Sequence, residues 1–279
     1  MKVRRVTLAV LLLITAVAVA DIWYLGVGAF SGPPHFEVKL QCKDSCDYPS
    51  SVKKQRFTVL SSDLTSIQIE NQYGEITVRG TEGDEMTVVS TITVYGDTEE
   101  DAEQYLETVQ VIETKEDSGA AEYMLPNVPA GPEIRGVIVN YEVDLPKNLA
   151  ASVGSQYGTI RADEVEGEME ISASFSDVMV HGFKGILKAD TEFSTLDIQD
   201  LAGSFDLDDS YSTVKLDLVD VQEGYRFDLR LEYGSLHHNM PLEKKVDDGN
   251  VIRAAGKTQA GNFPIRIRSS FGTVHVHVK

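Results

Sequence analysis

Cysteine is scarce in this chain of 279 residues, which contains only Cys42 and Cys46. A structural zinc site needs a second Cys or His pair that these two thiols lack. The pair lies in "QCKDSC", inside a polar segment. We expect it to form a short-range disulfide in an oxidising compartment, or to remain as two free thiols.

Basic residues are also few. The chain has 25 Lys and Arg against 44 Asp and Glu, which gives a formal net charge of −19. This charge works against binding to polyanions such as DNA or anionic lipid surfaces. Nucleic acid is therefore not an expected partner.

The N-terminus has the layout of an export signal. Three basic residues among the first five precede an uncharged run over residues 6–20 that closes on Ala18 and Ala20. Residues 1–20 are therefore predicted to be a secretory signal peptide, cleaved before Asp21.

An uncleaved membrane anchor is the alternative, because the apolar character resumes in "IWYLGVGAF". Asp21 would then lie inside the span, at a cost of about 2.5 to 3.5 kcal/mol near the bilayer centre. Both readings place the rest of the chain outside the cytoplasm. We expect residues 21–56 to be a polar linker that carries the Cys pair.

An aromatic residue followed by a small one recurs along the chain. Four successive copies follow one another at a constant spacing of about 18 residues, and others follow the same pattern with insertions between them. The aromatic residues are Tyr73, Tyr157, Phe175, Phe193, Tyr211, Tyr233 and Phe271. A fixed period of about this length is typical of stacked repeats.

Aliphatic residues alternate on both sides of each aromatic residue, six and four positions before it and three and five positions after it. This period of two indicates strands with one buried face. Each unit is thus predicted to be strand, corner, strand, corner, with Gly83, Gly167, Gly185 and Gly203 at the second corner. Stacked units would form an all-β, single-stranded parallel β-helix or β-solenoid over residues 57–279, with coils of about 18 residues.

The aromatic residues themselves are predicted to stack in a column within the core. Phe193→Asp is then expected to unfold the domain, whereas Asp197→Asn in the same unit is expected to be nearly silent.

Residues 84–150 depart from this period. The segment "DTEEDAEQYLETV" predicts one short amphipathic helix, with Ala102, Tyr105, Leu106 and Val109 on its apolar face and a capping pattern from Asp97 to Glu100. A later insertion, "EKKVDDGNVIRAAGKTQAGNFP", predicts a hairpin or an outgrowth around a turn at residues 248 and 249.

The stretches "IENQYGEITVRG" and "VNYEVDLPKNLAASVGSQYGTIRADEVEGEMEISASFSDVMV" carry a family resemblance. The chain resembles the bacterial putative-adhesin domain-of-unknown-function family over about residues 57–279. The resemblance implies a secreted or membrane-anchored β-helix of the cell envelope, with no established catalytic residue.

Two groups of side chains are candidate sites. The acid pairs Asp208-Asp209 and Asp247-Asp248 raise the question of glycosidic cleavage, which needs two carboxylates about 5 to 9.5 Å apart in a groove. These acid pairs are instead expected on a solvated surface.

His237, His275 and His277 are candidate ligands for a zinc or copper ion at the last units. A polar strand end without metal is the favoured interpretation of these histidines.

The expected function is a non-enzymatic exported envelope protein with an adhesin-like binding surface for an unknown envelope protein or cell-surface ligand. No catalytic residue and no cofactor is expected. A self-assembling envelope scaffold and a β-helical polysaccharide-active enzyme are the alternatives.

Overall fold

Parallel strands account for most of the architecture. A computed structural model of the chain describes residues 48–147, 149–247 and 250–279. The signal or anchor segment and the Cys42–Cys46 pair lie outside the described residues, so those predictions stay untested. Within the described part, no helix is long and apolar enough to span a membrane.

The described strands belong to one hydrogen-bonded sheet. In chain order they are β1 Ser50–Leu60, β2 Ser66–Thr81, β3 Glu85–Gly96, β4 Ile112–Lys115, β5 Ala120–Met124, β6 Ile134–Pro146, β7 Ala150–Asp163, β8 Glu166–Ser174, β9 Asp177–His181, β10 Lys184–Glu192, β11 Thr195–Ser210, β12 Thr213–Leu218, β13 Tyr225–Glu232, β14 Ser235–His238, β15 Glu243–Asp247, β16 Val251–Lys257, β17 Phe263–Ser270 and β18 Thr273–Val278. One helix, α1, spans Glu99–Thr108. The predicted all-β class is confirmed.

The repeat units pair in parallel with the register that the sequence predicts. Met169 of β8 lies opposite Leu187 of β10, and Leu187 lies opposite Phe205 of β11, so equivalent positions of successive units face each other. The strands after the aromatic residues form a second parallel ladder through β7, β9, β11, β12, β18 and β14.

The order of the last units in space differs from their order in the sequence. Strand β17 pairs with β11 on one side and with β13 on the other. Ile265 thus lies between Phe205 and Phe227. The late insertion makes this possible, because β15 and β16 form an antiparallel hairpin that extends the ladder from β13 and separates β14 from β17 in the sequence. The predicted hairpin is confirmed, and its turn at residues 248 and 249 lies outside the described part.

The alternating aliphatic residues form the core. All positions six and four residues before the aromatic residues are buried, and so are those three residues after them. Positions five residues after are also buried, except for His238, which is exposed. Each buried methylene group contributes roughly 0.8 kcal/mol to stability. Because every unit buries such groups, this core is the main source of stability.

The N-terminal end of the sheet is antiparallel. β1 pairs with β3, and β3 pairs with β6, before β6 joins β2 in parallel. β1 begins at Ser50 and extends across the predicted boundary between residues 56 and 57. Its partly buried face contacts the segment after α1: Lys53 Nζ donates a hydrogen bond to the Val109 carbonyl at 3.1 Å.

The helix is confirmed, but its predicted cap is wrong by one residue. Thr98 and Asp101 form the capping box, in which the Thr98 hydroxyl accepts from the Asp101 N–H at 3.1 Å. Asp97 instead pairs with Arg135, whose guanidinium holds the pKa of that carboxyl below its usual range. Ala102 and Leu106 are buried against the sheet, as predicted.

Candidate interaction surface

Seven aromatic rings stack in one column on the outside of the protein. Adjacent centroids are 4.8 to 5.5 Å apart and adjacent planes are 4 to 19° from parallel. In spatial order the rings are Tyr73, Tyr157, Phe175, Phe193, Tyr211, Phe271 and Tyr233. With six steps of about 4.8 Å, this aromatic column is about 30 Å long.

The prediction that the rings belong to the core is wrong. Phe193 is 45% exposed and Tyr233 is 59% exposed, and the other rings from Phe175 onward lie between these values. Tyr73 and Tyr157 are intermediate in exposure. The stacking itself is confirmed, but it takes place at the surface.

The backbone explains why the rings point outward. In the last five units the aromatic residue has a left-handed φ of 51 to 61°, for example 51° at Phe193 and 59° at Tyr211. Buried side chains two, four and six residues before the ring share one face of the strand. The left-handed residue reverses this alternation and turns the ring to solvent.

This conformation is rare for a residue with a side chain and costs about 1 to 3 kcal/mol. Ring stacking offsets part of the cost, since an aromatic pair contributes about 0.5 to 1.5 kcal/mol. In the first unit Gly74 takes the positive φ instead, at 120°.

Serine hydroxyl groups close the corner beneath the rings. The Ser176 hydroxyl donates to the Ser174 carbonyl at 2.8 Å, and the Ser194 hydroxyl donates to the Glu192 carbonyl at 2.9 Å. The Ser194 oxygen also accepts from the Ser176 N–H of the neighbouring unit at 3.2 Å. These serines are buried, so the small residue supports the turn and does not itself adopt the left-handed conformation.

Glycine replaces serine where the neighbouring backbone comes too close. A Cβ on Gly158 would lie 2.1 Å from the Gly74 carbonyl oxygen, and one on Gly234 would lie 2.5 Å from the Gly272 carbonyl oxygen. Both distances are shorter than any tolerable contact, so these units require glycine.

The second corner starts earlier than predicted, at Glu164, Gly182 and Asp200, which are left-handed and occupy equivalent positions in successive units. The predicted positive φ is confirmed at Gly167, with 101°, and at Gly185, with 131°. Gly203 follows this corner inside β11, without a positive φ, and a Cβ there would lie 2.1 Å from the Gly185 carbonyl oxygen. Close packing between units is therefore the reason for glycine at Gly203.

The two acids of the first candidate pair face opposite sides of β11. Asp208 is exposed and lies 3.8 Å from Arg268. Asp209 is buried and accepts hydrogen bonds from Thr191 Oγ1 at 2.9 Å and Ser269 Oγ at 2.7 Å. The expectation of a solvated pair is wrong for Asp209, which anchors a polar contact between three units. Of the second pair, Asp248 lies outside the described residues.

The structure brings together two of the three candidate histidines. The imidazole rings of His237 and His275 stack with centroids 4.6 Å apart. His277 lies two residues farther along β18, opposite Asp217. Among residues 48–147, 149–247 and 250–279, no group of three His, Cys, Asp or Glu residues is arranged to hold a metal ion.

The exposed column could have been found only in part from the sequence. Its period and stacking follow from spacing, but its exposure depends on the left-handed φ. One available signal was missed: polar residues such as Asn71, Thr191 and Asp209 occupy the inward position two residues before the ring. A polar residue at the end of the buried face marks the point where the strand leaves the core.

Comparisons with known proteins concern the fold. No protein-family model matches the sequence, and no curated protein matches it either. A solved structure of a putative cell adhesion protein from Clostridium sporogenes ATCC 15579 is similar, with 12% identity, a TM-score of 0.44, and coverage of 82% of this chain and 100% of that one.

Two further structures are putative adhesins. The one from Bacteroides fragilis NCTC 9343 has 9% identity and a TM-score of 0.36, over 81% of this chain and 97% of that one. The one from Parabacteroides merdae ATCC 43184 has 12% identity and a TM-score of 0.28, over 82% and 96%. At such identities and TM-scores these structures assign neither a family nor a function to this chain.

Proposed function

We propose that the repeat units are successive coils of a parallel β-solenoid, and that the chain is a non-enzymatic, exported envelope protein of adhesin-like type. The aromatic column is its binding strip. The observation that carries this proposal is the outward exposure of rings held by left-handed backbone in five consecutive positions of the column. Backbone strain of this kind is concentrated at functional sites, and contiguous exposed apolar surface is typical of interaction sites.

The orientation of the rings favours a protein partner. Each internal ring has both faces covered by its neighbours at about 5 Å, so only ring edges reach solvent. Sugar rings, which pack against aromatic faces, would find a free face only at the ends of the column. Rows of hydroxyl groups, including Thr195 and Thr213, lie two residues after the rings. An apolar strip bordered by hydroxyl groups suits another envelope protein.

The carboxylates support a non-enzymatic role. A glycosidase needs two carboxyl groups in one groove, whereas Asp208 and Asp209 lie on opposite faces of one strand. The Asp209 carboxylate accepts hydrogen bonds from two hydroxyl groups in the interior.

A scaffold built by end-to-end stacking is less well supported, because both ends of the sheet carry features that oppose strand addition. β14 at one end has four residues, and β15 carries lysines at an edge. At the other end the segment after α1 contacts β1 through Lys53 and Gln55.

Replacing three central rings tests the proposed strip. We expect Phe175→Ser, Phe193→Ser and Tyr211→Ser together to reduce binding of the domain to isolated envelopes of its own bacterium at least about tenfold. Glu170→Ser, Lys188→Ser and Asp190→Ser form the control, because they change the same number of exposed side chains on a different face. Both variants should keep a cooperative melting transition. Undiminished binding by the ring variant would refute the strip.

Export has its own test. Fractionation and N-terminal sequencing should find the protein outside the cytoplasm, starting at Asp21 if it is cleaved or retained in the membrane if it is not. A soluble full-length product in the cytoplasm would contradict export while leaving the binding strip untouched.

A further inference from the structure

The aromatic column is large for an exposed apolar surface. Five of its rings are 45 to 59% exposed. A Phe or Tyr side chain buries about 150 to 250 Å² when it is fully covered, so these five rings alone present about 500 Å² to solvent. The largest apolar patch of a typical monomer is about 300 to 600 Å². With the residues on both sides of the rings, the strip approaches the roughly 800 Å² per partner that a stable dimer buries.

The repeat of the column restricts the kind of partner. The five exposed rings have centroids 4.8 to 5.0 Å apart, because they lie on neighbouring strands. Side chains on an α-helix recur every 5.4 Å or so along its axis, and a helix therefore loses about 0.5 Å per ring, or about 2 Å over four steps. Another parallel β-ladder has the same repeat as the column and stays in step with it along the whole length.

Two rows of side chains border the rings, one residue before each ring and two residues after it. Neither row contains a basic residue. Four units carry a carboxylate in one of the rows, at Glu75, Asp177, Glu192 and Glu232. On the other side of the ring, these four units have the uncharged residues Gln72, Ser174, Thr195 and Ser235, respectively. The other three units have no charge in either row, so no unit carries a carboxylate on both sides of its ring.

This distribution distinguishes two ways of pairing two columns face to face. If the two-fold axis is parallel to the columns, each unit faces the same unit of the second copy, and the row before the rings faces the row after them. Each carboxylate then meets an amide or a hydroxyl group. If the axis is perpendicular to the columns, each row faces itself in reverse order, and Glu192 beside the central ring meets its own counterpart. Opposed like charges at an interface are unfavourable, which favours the parallel axis.

The carboxylates at the two ends of the strip are already neutralised within each copy. Arg161 lies 2.7 Å from Glu75, and Arg230 lies 2.7 Å from Glu232. The other two carboxylates flank rings near the centre of the column, where a second copy covers them most completely. Their contacts therefore decide which arrangement is favoured.

We propose that two copies of the chain pair through their aromatic columns, with the two-fold axis parallel to the columns. The proposal rests on the column being a binding strip, and it names a second copy as the partner. Strand β1 of both copies lies at the same end of such a dimer, so both chains enter it from the same side. The formal net charge of the chain, −19, opposes association at long range, whereas the apolar contact favours it at short range.

Sedimentation equilibrium of the mature protein, residues 21–279, tests the pairing. We expect a monomer–dimer equilibrium without larger species. Added salt should strengthen the dimer, because it screens the repulsion between two acidic copies. Phe175→Ser, Phe193→Ser and Tyr211→Ser together should abolish the dimer.

Two substitutions at Thr195 test the arrangement without removing a ring. With a parallel axis, the ammonium group of Thr195→Lys faces Glu192 of the second copy, and the dimer should become at least about threefold tighter. Thr195→Glu places a second carboxylate there and should weaken the dimer at least about tenfold. Gln199→Lys is the control, since it adds the same charge to an exposed residue of β11 outside the strip and should leave the dimer unchanged.

Three results would overturn the proposal: a monomer at concentrations up to about 100 µM, growth into species larger than a dimer, or equal effects of Thr195→Lys and Gln199→Lys. A weaker dimer for Thr195→Lys would also overturn it, because a perpendicular axis brings the two new ammonium groups together. Envelopes from cells that lack this protein separate this inference from the proposed function. If a monomeric protein binds those envelopes through its rings, the strip is correct and the second copy is the wrong partner.

Discussion

Individual residues at the corners decide where the aromatic column lies. Phe193 follows a buried strand face, yet its left-handed φ of 51° turns the ring outward onto Phe175 and Tyr211. Periodicity predicts the stacking because equivalent positions in neighbouring units meet at the strand spacing. It could not predict the exposure, since φ at one residue is set by the packing of the corner and not by the repeat.

Because the Phe193 ring is exposed and not buried, a charge at this position is expected to have a smaller effect on stability. Phe193→Asp should lower the free energy of unfolding by about 1 to 3 kcal/mol, through loss of two stacking contacts, and leave the fold intact. Leu196→Asp, three residues later and fully buried, should unfold the domain. Chemical denaturation of both variants makes the comparison. If the two variants are destabilised equally, the rings belong to the core after all, which would contradict their exposure.

Two buried tyrosines provide a second matched test. The Tyr225 hydroxyl donates to the Val219 carbonyl at 2.7 Å and lies 3.1 Å from the Leu201 carbonyl. The Tyr141 hydroxyl is buried and has no hydrogen-bond partner within the part of the chain that the structure describes. Tyr225→Phe should therefore cost about 1 kcal/mol of stability, and Tyr141→Phe about zero, in denaturant titrations. A larger loss for Tyr141→Phe would show that its hydroxyl has a partner.

Among the elements, the strands follow closely from the sequence, because their apolar residues alternate and recur at equivalent positions of each unit. The order of β17 and β13 could not be predicted in this way. The sequence places Tyr233 before Phe271, whereas the Phe271 unit lies between those of Tyr211 and Tyr233. Only the insertion that forms β15 and β16 permits this exchange, and pairing across it is a long-range property.

The distance to the neighbouring strand also decides which glycines can be replaced by a residue with a side chain. Gly203→Ala should lower the melting temperature strongly, because its Cβ would lie 2.1 Å from the Gly185 carbonyl oxygen in the neighbouring unit. Gly83→Ala should be nearly neutral, since the nearest atom to its Cβ is 3.9 Å away. Calorimetry of the two variants tests close packing as the reason for glycine; similar melting temperatures would argue against it.

For the molecule as a whole, buried tyrosines make stability sensitive to high pH. Burial raises the pKa of Tyr225 to about 12, and burial likewise raises the pKa of Tyr123 and Tyr141. In the unfolded chain these groups ionise near pH 10. Their contribution is complete below about pH 10 and is lost as the pH rises towards 12. The melting temperature should fall over that interval, less steeply for Tyr225→Phe, and an unchanged slope in that variant would contradict the assignment.

The stacking of units in a constant register is the central claim, and disulfide formation measures it directly. With Cys42 and Cys46 replaced by serine, Asp197→Cys and Lys215→Cys place two thiols at directly opposed positions of β11 and β12. Their Cα atoms should be about 4.8 Å apart, within the range for a disulfide.

The control variant, Asp197→Cys with Asp217→Cys, shifts one thiol by two residues and increases the separation of the Cα atoms to about 8 Å. Under mild oxidation, mass spectrometry should find an intramolecular disulfide in the first variant and little in the second. Equal cross-linking in both, or a preference for the second, would contradict the register and the aromatic column that depends on it.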